Sequence, residues 1–152
     1  MIKIICIGKI KEKYLVDGIN EYLKRCTPFS KINILELKEV NTLDDEKNRK
    51  EEGKEILSKI SDEEYVISLE INGSNLSSTE LASFINDKFT YGYPVITFVI
   101  GGSTGLSGDV IKRANYHLSF GKNTYPHQLM RLILMEQIYR SFMIINNHKY
   151  HK

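Results

Sequence analysis

The most apolar stretch of the chain runs from Tyr93 to Ile100 and ends at a turn rich in glycine. Such a run is typical of a strand that is covered on both faces, as in a parallel sheet. The turn after it contains Gly101, Gly102, Gly105 and Gly108. Glycine lets a backbone approach a ligand closely, and open α/β sheets bind ligands outside the carboxyl ends of their strands. The feature therefore predicts a parallel sheet with a candidate ligand site at this turn.

Short apolar runs alternate with helical patterns along the whole chain. The other predicted strands are Ile2–Ile7, Lys31–Val40, Tyr65–Ile71 and Tyr116–Phe120. Apolar residues at helical spacing predict helices that begin near Leu15, Ser77, Ser107 and Pro126. Ser77 and Glu80 also have the spacing of a capping box. This alternation predicts an α/β fold, a mostly parallel sheet with flanking helices, in one domain over residues 1–152.

One segment, Asn41 to Lys54, is dense in charge and nearly empty of apolar residues. We interpret it as a loop that rises into an exposed helix ending near Ile60. A solvated face and a partner surface are both compatible with this composition. The low content of apolar residues also suggests that the segment is mobile.

Composition and charge narrow the class of protein. Hydrophobic residues make up 41% and charged residues 26% of the chain, as in a globular protein. No apolar run approaches the roughly 20 residues of a membrane helix, and the amino terminus is too strand-like for a signal peptide. Cys6 and Cys26 lack metal-binding spacing, which indicates buried thiols in a reducing cytoplasm and no metal site.

Residues 112–152 carry seven Lys or Arg and one acid, a net charge of +6, whereas the first 111 residues have a net charge of −4. This skew suggests a polyanionic partner.

The ends of three predicted strands meet at one sheet edge if the strands are parallel neighbours. They are Leu69, Gly101 and the run Phe120–Tyr125. The glycine turn lacks the G-x-G-x-x-G fingerprint, because Ser103 and Ser107 stand where glycine is required, and no P-loop follows. Backbone groups and apolar walls with almost no charge suit a neutral adenine ring better than a triphosphate.

Several motifs in order resemble the RlmH family of small SPOUT-class methyltransferases. They are Phe98–Leu106, Leu118–Phe120, Pro126–Arg131, Glu136–Arg140 and Tyr150–Lys152. The resemblance implies methylation of N3 of a pseudouridine in large-subunit ribosomal RNA, with S-adenosylmethionine as the methyl donor. It also implies a homodimer and a SPOUT-type α/β fold with a C-terminal trefoil knot, a rare exception to unknotted topology. The modest basic charge favours the assembled ribosome over free RNA as substrate.

The resemblance also implies roles for individual residues. The cofactor-binding positions are Leu69, Gly101, Phe120, Gly121, Lys122, Asn123, Thr124 and Tyr125. Three residues are expected to be catalytic. His151 would accept a proton, and Tyr150 would stack on the nucleobase or donate a hydrogen bond to it. Arg140 would bind phosphate or an anionic edge of the nucleobase. We expect the tail from His148 to Lys152 to fold over the cofactor pocket beside the partner subunit.

Other interpretations of these residues and of the function stay open at the level of sequence. The tail could be a frayed, solvated end, and Arg131 and Glu136 could form a polar pair within the helix or between subunits. His117 is most simply structural. The alternative functions are a SPOUT methyltransferase for another RNA, such as transfer RNA, and a non-catalytic cofactor-binding factor for ribosome assembly.

Overall fold

A five-stranded parallel sheet forms the centre of the molecule in the computed structural model, which describes all residues from Met1 to Lys152. The strands are β1 (Ile2–Ile7), β2 (Ile32–Leu37), β3 (Tyr65–Asn75), β4 (Ile96–Ile100) and β5 (Tyr116–Ser119). Their order across the sheet is β2-β1-β4-β3-β5, and every neighbouring pair is parallel. The predicted α/β fold with a parallel sheet is therefore confirmed.

Five helices cover the two faces of this sheet. They are α1 (Lys13–Cys26), α2 (Asp45–Ser58), α3 (Ser78–Thr90), α4 (Gly108–Arg113) and α5 (His127–Ile145). Successive side chains of β1 point to opposite faces. Ile4 packs into the larger apolar cluster with α1, α3 and α5, and Ile5 packs into the smaller one with α2 and α4. All six residues of β1 are buried, which explains why its sequence does not alternate with polar residues.

The capping box at Ser77 is present, with Ser77 and Glu80 each accepting from the backbone of the other. Helix α2 begins at Asp45, where the Asp44 side chain accepts from the Lys47 N–H and caps it, and it ends at Ser58, close to the predicted end near Ile60. The predicted end of the third strand at Ile71 is wrong. Strand β3 continues beyond Asn72 and Gly73 to Asn75, with a break in its register against β5 between Leu69 and Ser74.

Candidate functional site

A cavity of about 770 Å³ lies at the carboxyl edge of the sheet, beyond the ends of β4 and β5 and beside the register break in β3. Its walls combine side chains from all three strands with the glycine turn and the start of α5. A volume of this size is within the usual range for small-molecule sites. Of the eight cofactor positions expected from the sequence, seven line it: Leu69, Gly101, Phe120, Gly121, Asn123, Thr124 and Tyr125. Lys122 is exposed and does not line the cavity.

The glycine turn is folded back on itself by backbone contacts. The Gly105 N–H donates to the Gly102 carbonyl at 3.1 Å, and Gly105 has a φ of +85°. A Cβ on Gly101 would lie 2.8 Å from the Gly105 carbonyl carbon. Only glycine fits at position 101 without moving the opposite side of the turn, so the sequence fixes the shape of this cavity wall.

The segment between β5 and α5 is shaped by a buried hydroxyl. Ser119 Oγ donates to the carbonyl of Ile71 at 2.9 Å and accepts from the Gly121 N–H at 3.1 Å. Gly121 has a φ of +114°, a conformation that side chains rarely allow. Ser119 thus holds the exit of β5 against β3 where the cavity begins.

Helix α2 supports the glycine turn from behind with one face, on which Asn48, Glu52 and Gly53 are buried. Most residues of the segment 41–54 are exposed, as the interpretation of a solvated face predicts. Arg49 Nη1 donates to the Thr104 carbonyl at 3.2 Å. A Cβ on Gly53 would lie only 2.2 Å from Ser107 Oγ, so the two segments pack in close contact. Glu52 is buried and accepts from the Val40 N–H at 3.0 Å, and burial raises the pKa of its carboxyl.

Sequence reasoning missed the only carboxylate on the cavity wall, Glu70. Its Oε2 contacts both Ser68 Oγ and His117 Nδ1, and Ser68 Oγ lies 2.9 Å from the same ring nitrogen. His127 and Met130 of α5 also line the cavity. The sequence placed Glu70 directly after Leu69, a predicted cofactor position, and this could have pointed to it. The orientation of the Glu70 side chain, however, depends on the strand pairing that brings His117 beside Ser68.

The three predicted catalytic residues come together around Glu136 on α5. Glu136 Oε1 accepts from Arg140 Nε at 3.0 Å, from Arg140 Nη2 at 2.6 Å and from the Tyr150 hydroxyl at 3.1 Å. Arg140 Nη1 lies 3.1 Å from His151 Nδ1, and its guanidinium lies 4.7 Å from the centre of the Tyr150 ring. We call these four residues the C-terminal cluster. Its contacts show that the tail is not a frayed end.

Protonation states follow from these contacts. Burial, with hydrogen bonds to Tyr22 and Glu136, raises the pKa of the Tyr150 hydroxyl well above its ordinary value, so Tyr150 stays a neutral donor. The hydrogen bond to Glu136 raises the pKa of the Arg140 guanidinium. An arginine N–H can only donate, so His151 Nδ1 is the acceptor in its contact with Arg140.

The C-terminal cluster does not lie at the cavity of its own chain, so a single subunit does not by itself place the tail over the pocket. His127 lines the cavity at one end of α5, and Arg140 follows near the other end. With a rise of 1.5 Å per residue, the two positions are about 20 Å apart along the helix. None of Arg140, Tyr150 and His151 lines the cavity.

Arg131 and Glu136 do not form a polar pair within the helix. Arg131 is 1% exposed and pairs with Glu36 of β2, with Nη1 at 2.6 Å from Oε2. Its Nη2 donates to the Gly8 carbonyl at 3.0 Å. These bonds fasten the start of α5 to the ends of β1 and β2, beside the cavity.

Two further observations concern metals and membranes. No three His, Cys, Asp or Glu side chains are grouped so that they could hold a metal ion. None of the five helices is both long and apolar enough to cross a membrane.

Comparison with known proteins gives a consistent assignment. The family described as "Predicted SPOUT methyltransferase" matches residues 1–151. Proteins named Ribosomal RNA large subunit methyltransferase H are similar over 99% of this chain and 99% of their own length. The one from Carboxydothermus hydrogenoformans is 52% identical, that from Enterococcus faecalis 50% and that from Lacticaseibacillus casei 54%. The chain, with its parallel sheet and its cavity beyond the strand ends, therefore belongs to the SPOUT methyltransferases and, among them, to the RlmH family.

Proposed function

We propose that this methyltransferase transfers the methyl group of S-adenosylmethionine to N3 of a pseudouridine in 23S ribosomal RNA, on the assembled ribosome in the cytoplasm. The observation that carries the proposal is the identity of 50% or more, over nearly the full length, to relatives named for large-subunit ribosomal RNA methylation. The net charge of +6 on residues 112–152 supports a polyanionic substrate. It is modest for binding free RNA, which favours a folded ribosomal surface.

The composition of the cavity supports S-adenosylmethionine as the ligand. Leu69 and Phe120 offer apolar surface for an adenine ring, and the turns that begin at Gly101 and Gly121 offer backbone donors and acceptors. The remaining proposed contacts are Asn123, Thr124 and Tyr125, with Lys122 in the same loop. When bound, S-adenosylmethionine supplies a methyl group on a positively charged sulfur, and the transfer leaves neutral S-adenosylhomocysteine.

The C-terminal cluster supplies groups for the nucleotide. The N3–H bond must break before or as N3 takes the methyl group, so a residue must accept that proton. We propose that Arg140 turns from His151 to the electron-rich edge of the base, which frees His151 Nδ1 to take the proton. Tyr150, held neutral, is suited to stack on the base or to donate to a ring carbonyl.

A homodimer would join the two halves of this site. About 20 Å along α5 separates the cavity from the C-terminal cluster of the same chain, so a second chain would have to bring its cluster to the cavity of the first. Apolar side chains on α5 that stay partly exposed are suited to such an interface, among them Leu129, Ile133 and Ile144.

We also propose that residues 1–152 act as one domain with a knotted C-terminal part. The return of α5 from edge strand β5 to Gly8, directly after the inner strand β1, supports this path.

The test of the function is methyl transfer from labelled S-adenosylmethionine to intact ribosomes, isolated large subunits and protein-free RNA from a strain that lacks this gene. We expect label in one large-subunit pseudouridine, and only with assembled ribosomes. Label in transfer RNA instead would assign the enzyme to another RNA. Absence of label on every RNA, with cofactor binding intact, would support the non-catalytic assembly factor.

The test of the shared site is complementation between two inactive subunits. One lacks residues 148–152, and the other carries Gly101→Val, which blocks the cavity wall. Co-expressed subunits should recover about a quarter of the wild-type rate, because random pairing makes half of the dimers mixed and each mixed dimer keeps one complete site. If the mixture stays as inactive as the separate variants, the site is not shared between subunits.

A further inference from the structure

We infer that Glu70 recognises the positive charge of the methyl donor and thereby makes the cavity prefer S-adenosylmethionine to its neutral product. The inference rests on the proposed function and extends it to a residue that the resemblance did not include. Glu70 is the only acidic residue among the twenty that line the cavity, and no Lys or Arg lines it. The cavity wall therefore holds one carboxylate and no Lys or Arg.

The carboxylate of Glu70 is held in a fixed position. Oε2 contacts the hydroxyl of Ser68, which is 0% exposed, and Nδ1 of His117 on the neighbouring strand. Ser68 and His117 are direct partners in the pairing of β3 with β5. Oε1 accepts no hydrogen bond within the chain, so one oxygen anchors the group while the other stays available to a ligand.

Burial strengthens the case for a cationic ligand. The Glu70 side chain is 21% exposed, so a ligand that fills the cavity would remove much of its remaining water. A carboxylate that loses water without meeting a cation is unfavourable. S-adenosylmethionine brings a sulfonium charge that S-adenosylhomocysteine lacks. A fixed carboxylate in this wall thus favours binding of the donor and release of the product after transfer.

A purely structural role for Glu70 would lead to a different result. If its only function were to lock β3 to β5 through His117, its charge would be immaterial to the choice between the two ligands. Glu70→Gln separates these roles, because the amide is nearly the same size and its oxygen can still accept from Ser68 and His117. Glu63→Gln is the matched control, since Glu63 is an exposed acid before the same strand and does not line the cavity.

The experiment is isothermal titration of the wild type and both variants with S-adenosylmethionine and with S-adenosylhomocysteine. We expect Glu70→Gln to lose about tenfold in affinity for S-adenosylmethionine, about 1.4 kcal/mol, and less than about twofold for S-adenosylhomocysteine. Glu63→Gln should match the wild type with both ligands. Equal losses for the two ligands, or no loss for either, would overturn the inference.

A second measurement needs no variant and covers the case in which Glu70→Gln fails to fold. In the wild type, rising salt should weaken S-adenosylmethionine binding more than S-adenosylhomocysteine binding, because only the former uses the additional charge pair. A ratio of the two affinities that does not change with salt argues against the inference. If the wild type binds neither ligand, the proposed function itself has failed.

Discussion

The two ends of α5 differ in the chemistry they offer. At its start the chain surrounds a cavity mainly with backbone groups and apolar side chains, and Glu70 is the single carboxylate. Near its other end, Glu136, Arg140, Tyr150 and His151 form a compact group of polar side chains joined by hydrogen bonds. The first arrangement suits a small ligand held by shape, and the second suits proton transfer and recognition of an anion.

The difference shows that each end depends on a different kind of sequence constraint. The cavity needs glycine where two backbone segments nearly touch, as at Gly101 and Gly105. The C-terminal cluster needs particular functional groups, and its backbone is a helix that ends at Ile145 and a short tail that turns at Asn147, where φ is +56°. Changes at one end should therefore leave the function of the other intact. Two predictions test this separation, and two more concern the stability of the fold that supports both ends.

The largest expected effect is on turnover, from removal of residues 148–152. The deletion removes Tyr150 and His151, so methylation should fall at least about 100-fold, the lower range for loss of a general base. Affinity for S-adenosylmethionine should stay within about twofold of the wild type, because the deletion leaves in place every residue of the chain that lines its own cavity. Lys149→Ala, a change at an exposed tail residue, is the control and should be active. Normal methylation by the truncated protein would refute the catalytic assignment of the tail.

The next effect should fall on ligand binding, from Gly101→Ala. The new methyl group would lie 2.8 Å from the Gly105 carbonyl carbon, so the turn must shift. We expect affinity for S-adenosylmethionine to fall about tenfold or more, measured by calorimetry, because a misplaced turn loses several backbone contacts at once. Gly108→Ala is the matched control, since nothing lies within 4 Å of a Cβ there. If both variants bind equally well, the glycine turn does not shape the ligand site.

A third prediction concerns the stability of the region that joins the start of α5 to the sheet. Arg131→Met removes a buried cation that bonds Glu36 and the Gly8 carbonyl. The free energy of unfolding should fall by about 2–3 kcal/mol, measured by urea denaturation, because the Gly8 carbonyl loses its charged donor and Glu36 its partner. Arg25→Met, which breaks an exposed pair with Glu21, should cost less than about 1 kcal/mol. Similar losses in both variants would contradict the role given to Arg131.

The smallest effect should arise far from both ends of α5, at Glu64, which precedes β3. Burial acts to raise the pKa of this carboxyl, but hydrogen bonds from Lys3, the Ser61 N–H and Thr97 outweigh it and hold the pKa below its ordinary value. A lowered pKa contributes stability above the unfolded pKa, near pH 4.3, and this contribution is lost as the pH falls through the folded value.

Glu64→Gln should therefore lower the free energy of unfolding by about 1–2 kcal/mol at pH 7, and the difference from the wild type should shrink below about pH 4. Urea denaturation across this pH range measures it. Ligand affinity and turnover should not change, because Glu64 contacts neither the cavity nor the C-terminal cluster. A difference that is constant with pH would mean that the charge of Glu64 contributes nothing.

The sequence by itself determined the parallel sheet, the placement of most helices and the cavity wall. Apolar runs such as Tyr93–Ile100 identify strands through short-range patterns, and the capping box at Ser77 identifies a helix start through hydrogen bonds that span three residues. Glycines at 101 and 105 indicated a turn because their backbone freedom is a property of the residue itself. Such local signals can be read without knowing what the segment packs against.

Only the tertiary structure decided how distant residues pair. Arg131 meets Glu36, not Glu136, because the start of α5 returns to β1 and β2. Strand β3 continues through Gly73 because the missing side chain lets it approach His117 of β5, where a Cβ would lie 2.8 Å from the carbonyl oxygen. Glu52 is buried because α2 packs behind the glycine turn. These contacts join residues far apart in the chain, and side-chain periodicity carries no information on which elements become neighbours in space.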